Sequence, residues 1–146
     1  MGEDPVAFTA RAASRVRHVH LKDYRAVFTN EGYRLVRCVI GEGVVPFFEM
    51  ARVLATYHNT LPASVELAAL EARHIRAFTP GWWSGYGPRE AAEFGEAVGR
   101  LRINRITDDE LWQTPWELGA SAEEIIAYEH AQVRESMANL RRGLRA

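Results

Sequence analysis

The sequence predicts an α/β fold in which short parallel strands alternate with helices, followed by a helical C-terminal segment. Three observations carry that expectation. The stretch "VRHVHL", residues 16–21, alternates as a strand does, with Val16, His18 and His20 on one face and Val19 and Leu21 on the other. "GEGVVPFFEM" bends into a helix that gathers Phe47, Met50, Val53, Leu54 and Tyr57, and another β-like run, "LPASVELAAL", follows it. Beyond residue 70 the pattern turns helical and ends in a capped amphipathic stretch.

Each element has a local reason. Asp4-Pro5 starts a helix, an N-cap followed by proline in the first turn, running to about Ser14. After the 16–21 strand, "FTNEGYRLVRCVI" places a turn at Asn30-Glu31-Gly32 before a second β-rich run at 34–40. The third strand, "LPASVELAAL", is apolar apart from Ser64 and Glu66. "EARHIRAF" reads as a short helical piece, and Pro88 opens a helix with Phe94, Val98 and Leu101 on one side. "ITDDELWQTPWELGA" is expected as an ordered loop pinned by Trp112 and Trp116. Ser121 to Glu124 forms a capping box for a last helix that buries Ile126, Val133, Met137 and Leu140. Three parallel strands make an open sheet with both edges exposed, which points to a larger assembly.

With 146 residues, 47% hydrophobic and 25% charged, the composition is that of one globular domain. A net charge of −1 offers no basic face to nucleic acid or to an anionic membrane. The single cysteine, Cys38, permits no internal disulfide and reads as a core residue. With no signal-peptide layout and no apolar run of membrane-spanning length, the expected location is the cytoplasm. His58, His74 and His130 read as surface or helix-end groups, and "GWWSGYG" as packing for a loop or an oligomer contact rather than a sugar-stacking platform.

The chemistry concentrates where the first strand becomes a loop. His20, Asp23 and Arg25 sit there, and Glu66 lies inside an otherwise apolar strand. A carboxylate in such a run needs a partner, because an isolated buried charge is costly. Imidazole and carboxylate converging at the C-terminal ends of parallel strands suit a divalent cation of the Mn, Mg, Co or Zn type. A purely structural histidine is the alternative reading of the same pattern.

"HVHLKDYR", "IGEGVVPFFEM" and "ASVELAALEARHIRAF", in that order, resemble the C-terminal part of the xylose isomerase-like TIM barrels, the sugar phosphate isomerases and epimerases among them. The resemblance implies that residues 1–80 form part of a (β/α)8 barrel, its strands 6 to 8, and residues 81–146 a helical extension on the same domain. It implies His20 as a metal ligand, Glu66 as metal ligand and acid/base group, and Arg25 as a contact to sugar hydroxyls or phosphate. His18 would lie deeper or against a neighbouring strand, and ranks behind His20 as a ligand. Gly41-Glu42-Gly43 matches the glycine-rich turn after strand seven, with Glu42 facing solvent. The implied reaction is metal-dependent proton transfer on a ketose or ketose phosphate through an enediolate.

This chain departs from the family in one large respect. A full barrel takes roughly 250 residues, and strands one to five, with the other two metal carboxylates, have no counterpart here. The ion is expected to be weakly held by His20 and Glu66 alone, and one of two proton-shuttling groups is missing. The alternative is a non-catalytic barrel fragment that acts by self-association, as a homo-oligomer, or by complementing a chain that carries the missing strands.

Overall fold

The computed structural model describes residues 3–88 and 90–144. Helix α1, Pro5–Ala12, is capped by Asp4, whose carboxylate accepts the Ala7 N–H at 2.8 Å, and a 3-10 turn carries it to Arg15. Strands β1 (Val19–Leu21), β2 (Asp23–Thr29) and β3 (Gly32–Cys38) follow, then helix α2 (Phe47–Ala55), strands β4 (Ala63–Val65) and β5 (Arg73–Ile75), a 3-10 helix over Pro80–Gly85, and helices α3 (Ala91–Ile103) and α4 (Ala122–Gly143). Among the described residues no helix is long and apolar enough to cross a membrane.

The chain is α/β, with two small sheets in place of one. β1 and β4 pair in parallel, with Val19, His20 and Leu21 opposite Ala63, Ser64 and Val65. β2, β3 and β5 form an antiparallel sheet in that order. Two expectations are corrected here. The 34–40 run is not a third parallel strand, because only Asn30 and Glu31 separate β2 from β3. A parallel connection needs a dozen or more residues, whereas two make a hairpin, and Gly32 closes it with its backbone against Ile75. The described residues thus hold two parallel strands, not three, and no closed barrel. "EARHIRAF" contains strand β5 rather than a helical piece: Ile75 is buried against Tyr33, while Arg73 and Arg76 point outward.

Three apolar clusters hold these pieces together. Ile40, Phe47 and Leu140 join α2 and the end of α4 to Leu21 and Val65 on the helix-facing side of the β1–β4 pair. Val36, Ala72 and Ile106 take Trp112 against them, and the Arg34 guanidinium lies 5.0 Å from the Trp112 ring centre. Tyr33, Ile75 and Ala77 carry Trp82, Trp83 and Phe94, so "GWWSGYG" is packing: Trp83 meets Phe94 edge-on at 5.5 Å and its indole N–H donates to the Ala77 carbonyl.

The α4 capping box forms as expected, with Ser121 and Glu124 bonded reciprocally. Its buried face is rotated from the one expected. Ile126 is 52% exposed and Val133 37%, whereas Ser136 is fully buried, with Met137 and Leu140 beside it. Polar groups choose this orientation. The Ile40 N–H donates to Ser136 Oγ at 3.0 Å, Asn139 Nδ2 donates to the Ile40 carbonyl at 3.0 Å, and Glu129 accepts the Ala69 N–H at 2.8 Å. Those three bonds satisfy loop backbone that would otherwise be stranded.

Candidate functional site

Period-two alternation puts His18, His20 and Lys22 on one face of β1 and its continuation, and Ser64 and Glu66 on the same face of β4. The opposite face carries Val19, Leu21 and Val65 toward the helices, which leaves the polar face open to solvent. Parallel register then sets the contacts. His18 Nε2 lies 2.9 Å from Ser64 Oγ, and His20 Nδ1 lies 2.9 Å from Glu66 Oε2, each across 46 residues of sequence. The second Glu66 oxygen takes the Lys22 ammonium at 2.5 Å. Lys22 first, then His20, hold the Glu66 carboxyl below the usual glutamate range, so it is ionised at neutral pH.

Immediately after Lys22 the chain turns inward at Asp23, which is fully buried. Its carboxylate accepts four backbone N–H groups: Tyr24 at 2.8 Å and Val45 at 3.1 Å on Oδ1, Gly41 at 2.9 Å and Gly43 at 3.0 Å on Oδ2. The glycine-rich turn therefore wraps a carboxylate of the chain itself. A Cβ at Gly43 would overlap that carboxylate and the Tyr24 carbonyl, and Gly41 adopts φ +94°, so each glycine has a separate reason. Cys38, buried nearby, has its thiol pushed up by desolvation and then by Asp23 and Glu42, and is inert as a nucleophile.

His20 and Glu66 are brought together; Arg25 is not brought to them. Its guanidinium grips Glu110, with Nη1 at 2.8 Å from one carboxylate oxygen and Nη2 at 3.1 Å from the other, and donates further to the carbonyls of Asn104 and Arg105. Arg25 pins the 104–110 loop to β2 and drives the Glu110 carboxyl down to about 2, with Thr107 assisting. A cavity of about 530 Å3 lies on the helix-facing side, walled by Leu21, Phe47, Phe48, Leu54 and Leu140; it takes in His20 and Lys22 but not Glu66.

The donor types at His20 and Glu66 suit a divalent ion, but the count does not. Among the described residues no group of three His, Cys, Asp or Glu side chains is placed to hold a metal, and the Lys22 ammonium occupies one Glu66 oxygen. By themselves these residues do not fit a closed site of four ligands. Lys22 and Ser64 were missed in the sequence, although the same alternation that selects His18 and His20 selects Lys22. Comparisons with protein-family models, with curated proteins and with solved structures found no match for the chain.

Proposed function

We propose that the chain contributes half of a sugar or sugar phosphate isomerase/epimerase site, as the C-terminal part of a xylose isomerase-like barrel. The observation that supports this reading is the 2.9 Å contact between His20 and Glu66 at the C-terminal ends of two adjacent parallel strands, where catalytic groups of such barrels gather. Ionised Glu66 is the group to accept a proton from the C–H beside a ketose carbonyl. Held low by Lys22, it is a weak base in the free chain. A substrate oxygen that draws the Lys22 ammonium away raises its basicity, and the same ammonium offsets the charge on the resulting enediolate oxygen. Return of that proton to the neighbouring carbon, with the hydroxyl proton passing between the two enediolate oxygens, isomerises the sugar; delivery to the opposite face needs a second acid beyond Glu66. In the family resembled, a divalent ion polarises the carbonyl. Here His20 and Glu66 are the residues that would face it, with further ligands from outside the chain.

The test is deuterium incorporation into a ketose phosphate in D2O with Mn²⁺, followed by NMR across protein concentrations that bracket self-association. The proposal expects exchange beside the carbonyl that rises with assembly and disappears in Glu66→Gln. Exchange indifferent to Glu66, or none at any concentration, contradicts it. A second reading, a non-catalytic fragment that works by association, is favoured by the β1–β4 pair, whose outer edges have no strand partner among the described residues. A defined oligomer with no exchange would select it.

A further inference from the structure

Self-association enters both readings of the function, and helix α4 offers a surface for it. This 22-residue helix carries an apolar stripe through Ile126, Val133, Met137 and Leu140. Over the second half of the helix the stripe is covered, because Met137 and Leu140 pack against Ile40 and Phe47. Over the first half it is open: Ile126 is 52% exposed and Val133 37%, with His130 exposed between them. Charge is laid out along the same face. Glu123 lies in the first turn and Arg134 about three turns further on, so both flank the stripe on one side. Both residues are exposed, and among the described residues neither has an ion-pair partner.

We infer that two copies of the chain pair through α4, antiparallel, about a two-fold axis beside His130. An axis between Glu129 and His130 sets Ile126 of each copy against Val133 of the other. In an antiparallel two-fold pair each flank meets the same flank of the second helix. Glu123 of one copy then lies about 3 Å along the helix from the level of Arg134 on the other, at a rise of about 1.5 Å per residue. Two such acid–base pairs close the seam, and the opposed helix dipoles add to them. A parallel arrangement instead brings the two acidic first turns and the like dipole ends together. A second copy is the occupant that fits, because the face is apolar at its centre and complementary in charge to itself, which is what an isologous contact requires. Two partly exposed branched side chains per copy fall far short of a standard interface of roughly 1,600 Å2. The dimer is therefore expected at concentrations on the order of tens of micromolar, and dilute chain is monomeric.

Sedimentation equilibrium of the whole chain, over about 5 to 500 µM so as to bracket that affinity, tests the pairing. The expected result is a monomer–dimer equilibrium that weakens with added salt, because exposed ion pairs are screened. Ile126→Arg abolishes the dimer. Glu123→Arg and Arg134→Glu each weaken it about tenfold or more, since like charges then face each other. A one-to-one mixture of those two single variants associates again, because each pair across that seam is once more one acid and one base. All three positions are exposed, so the variants keep the fold, which circular dichroism verifies. No dimer at any concentration overturns the inference, as does a dimer indifferent to Ile126→Arg, the outcome if the open edges of β1 and β4 associate instead. Loss in the single variants without recovery in their mixture overturns the antiparallel pairing. Deuterium exchange at Glu66 is read separately, so the sugar proposal stands or falls on its own test.

Discussion

Asp23 is the side chain whose replacement tells most about how this chain is built. It is fully buried, and its two oxygens collect four backbone N–H groups from Tyr24, Gly41, Gly43 and Val45 at 2.8–3.1 Å. Asp23→Ala leaves all four donors without their acceptor. A buried unsatisfied donor costs about 1–3 kcal/mol, and water entering the gap recovers part, so about 4 kcal/mol is expected in total. For a chain of this size that lowers Tm by about 8–16 °C. Asp23→Asn keeps the shape but turns one oxygen into an NH2 group. Either amide orientation points donors at two N–H groups, so at least about 2 kcal/mol is lost. Urea unfolding followed by circular dichroism gives the totals, and amide exchange at Gly41, Gly43 and Val45 reports the local opening. An Asn variant within about 0.5 kcal/mol of wild type, the spread of an ordinary surface change, would refute the reasoning.

Three further outcomes follow from other contacts. Gly43→Ala puts a methyl group into the Asp23 carboxylate and the Tyr24 carbonyl, so it destabilises where Gly95→Ala, with open space around it, does not; parallel urea midpoints separate the two. Leu140→Ala removes the α4 side chain packed on Ile40 and Phe47 and costs about 2–5 kcal/mol by thermal unfolding, whereas Ile126→Ala on the exposed face costs under about 0.5 kcal/mol. Glu110, ordinarily near 4.5, is held at about 2 by Arg25 and Thr107. A depressed carboxyl stabilises the folded state above its unfolded value and loses that contribution as pH falls through the folded one. The stability gap between wild type and Glu110→Gln should therefore be full above pH 4.5 and close toward pH 2, read from urea midpoints across that range.

Alternation and capping made much of this structure legible. The faces of β1, the Asp4 and Ser121 caps and the helix at Phe47–Ala55 all follow from local spacing, and the same alternation sets His20 and Glu66 on one face, where parallel register brings them into contact. What escaped depends on chain length and long-range polar bonds. The run at Gly32–Cys38 has strand composition, but only the two-residue connection decides that it folds back on β2 rather than crossing over. The roll of α4 is set by Ser136, Asn139 and Glu129 bonding distant backbone, which an apolar stripe through Ile126 and Val133 does not reveal. Arg25 shows the same limit: the family resemblance implies a substrate contact, while its guanidinium closes on Glu110, 85 residues away.

The shared site depends on β1 and β4 lying side by side in parallel, because that pairing brings His20 to Glu66. Through-space proton NMR tests it most directly. Cross-peaks are expected between the His20 ring and the Glu66 γ protons, and between the His18 ring and Ser64 β protons, with slow amide exchange at Val19 and Glu66, whose N–H groups bond the Pro62 and Leu21 carbonyls. Absence of both ring contacts, with fast exchange at those two amides, would mean that the strands do not pair and that no shared site exists.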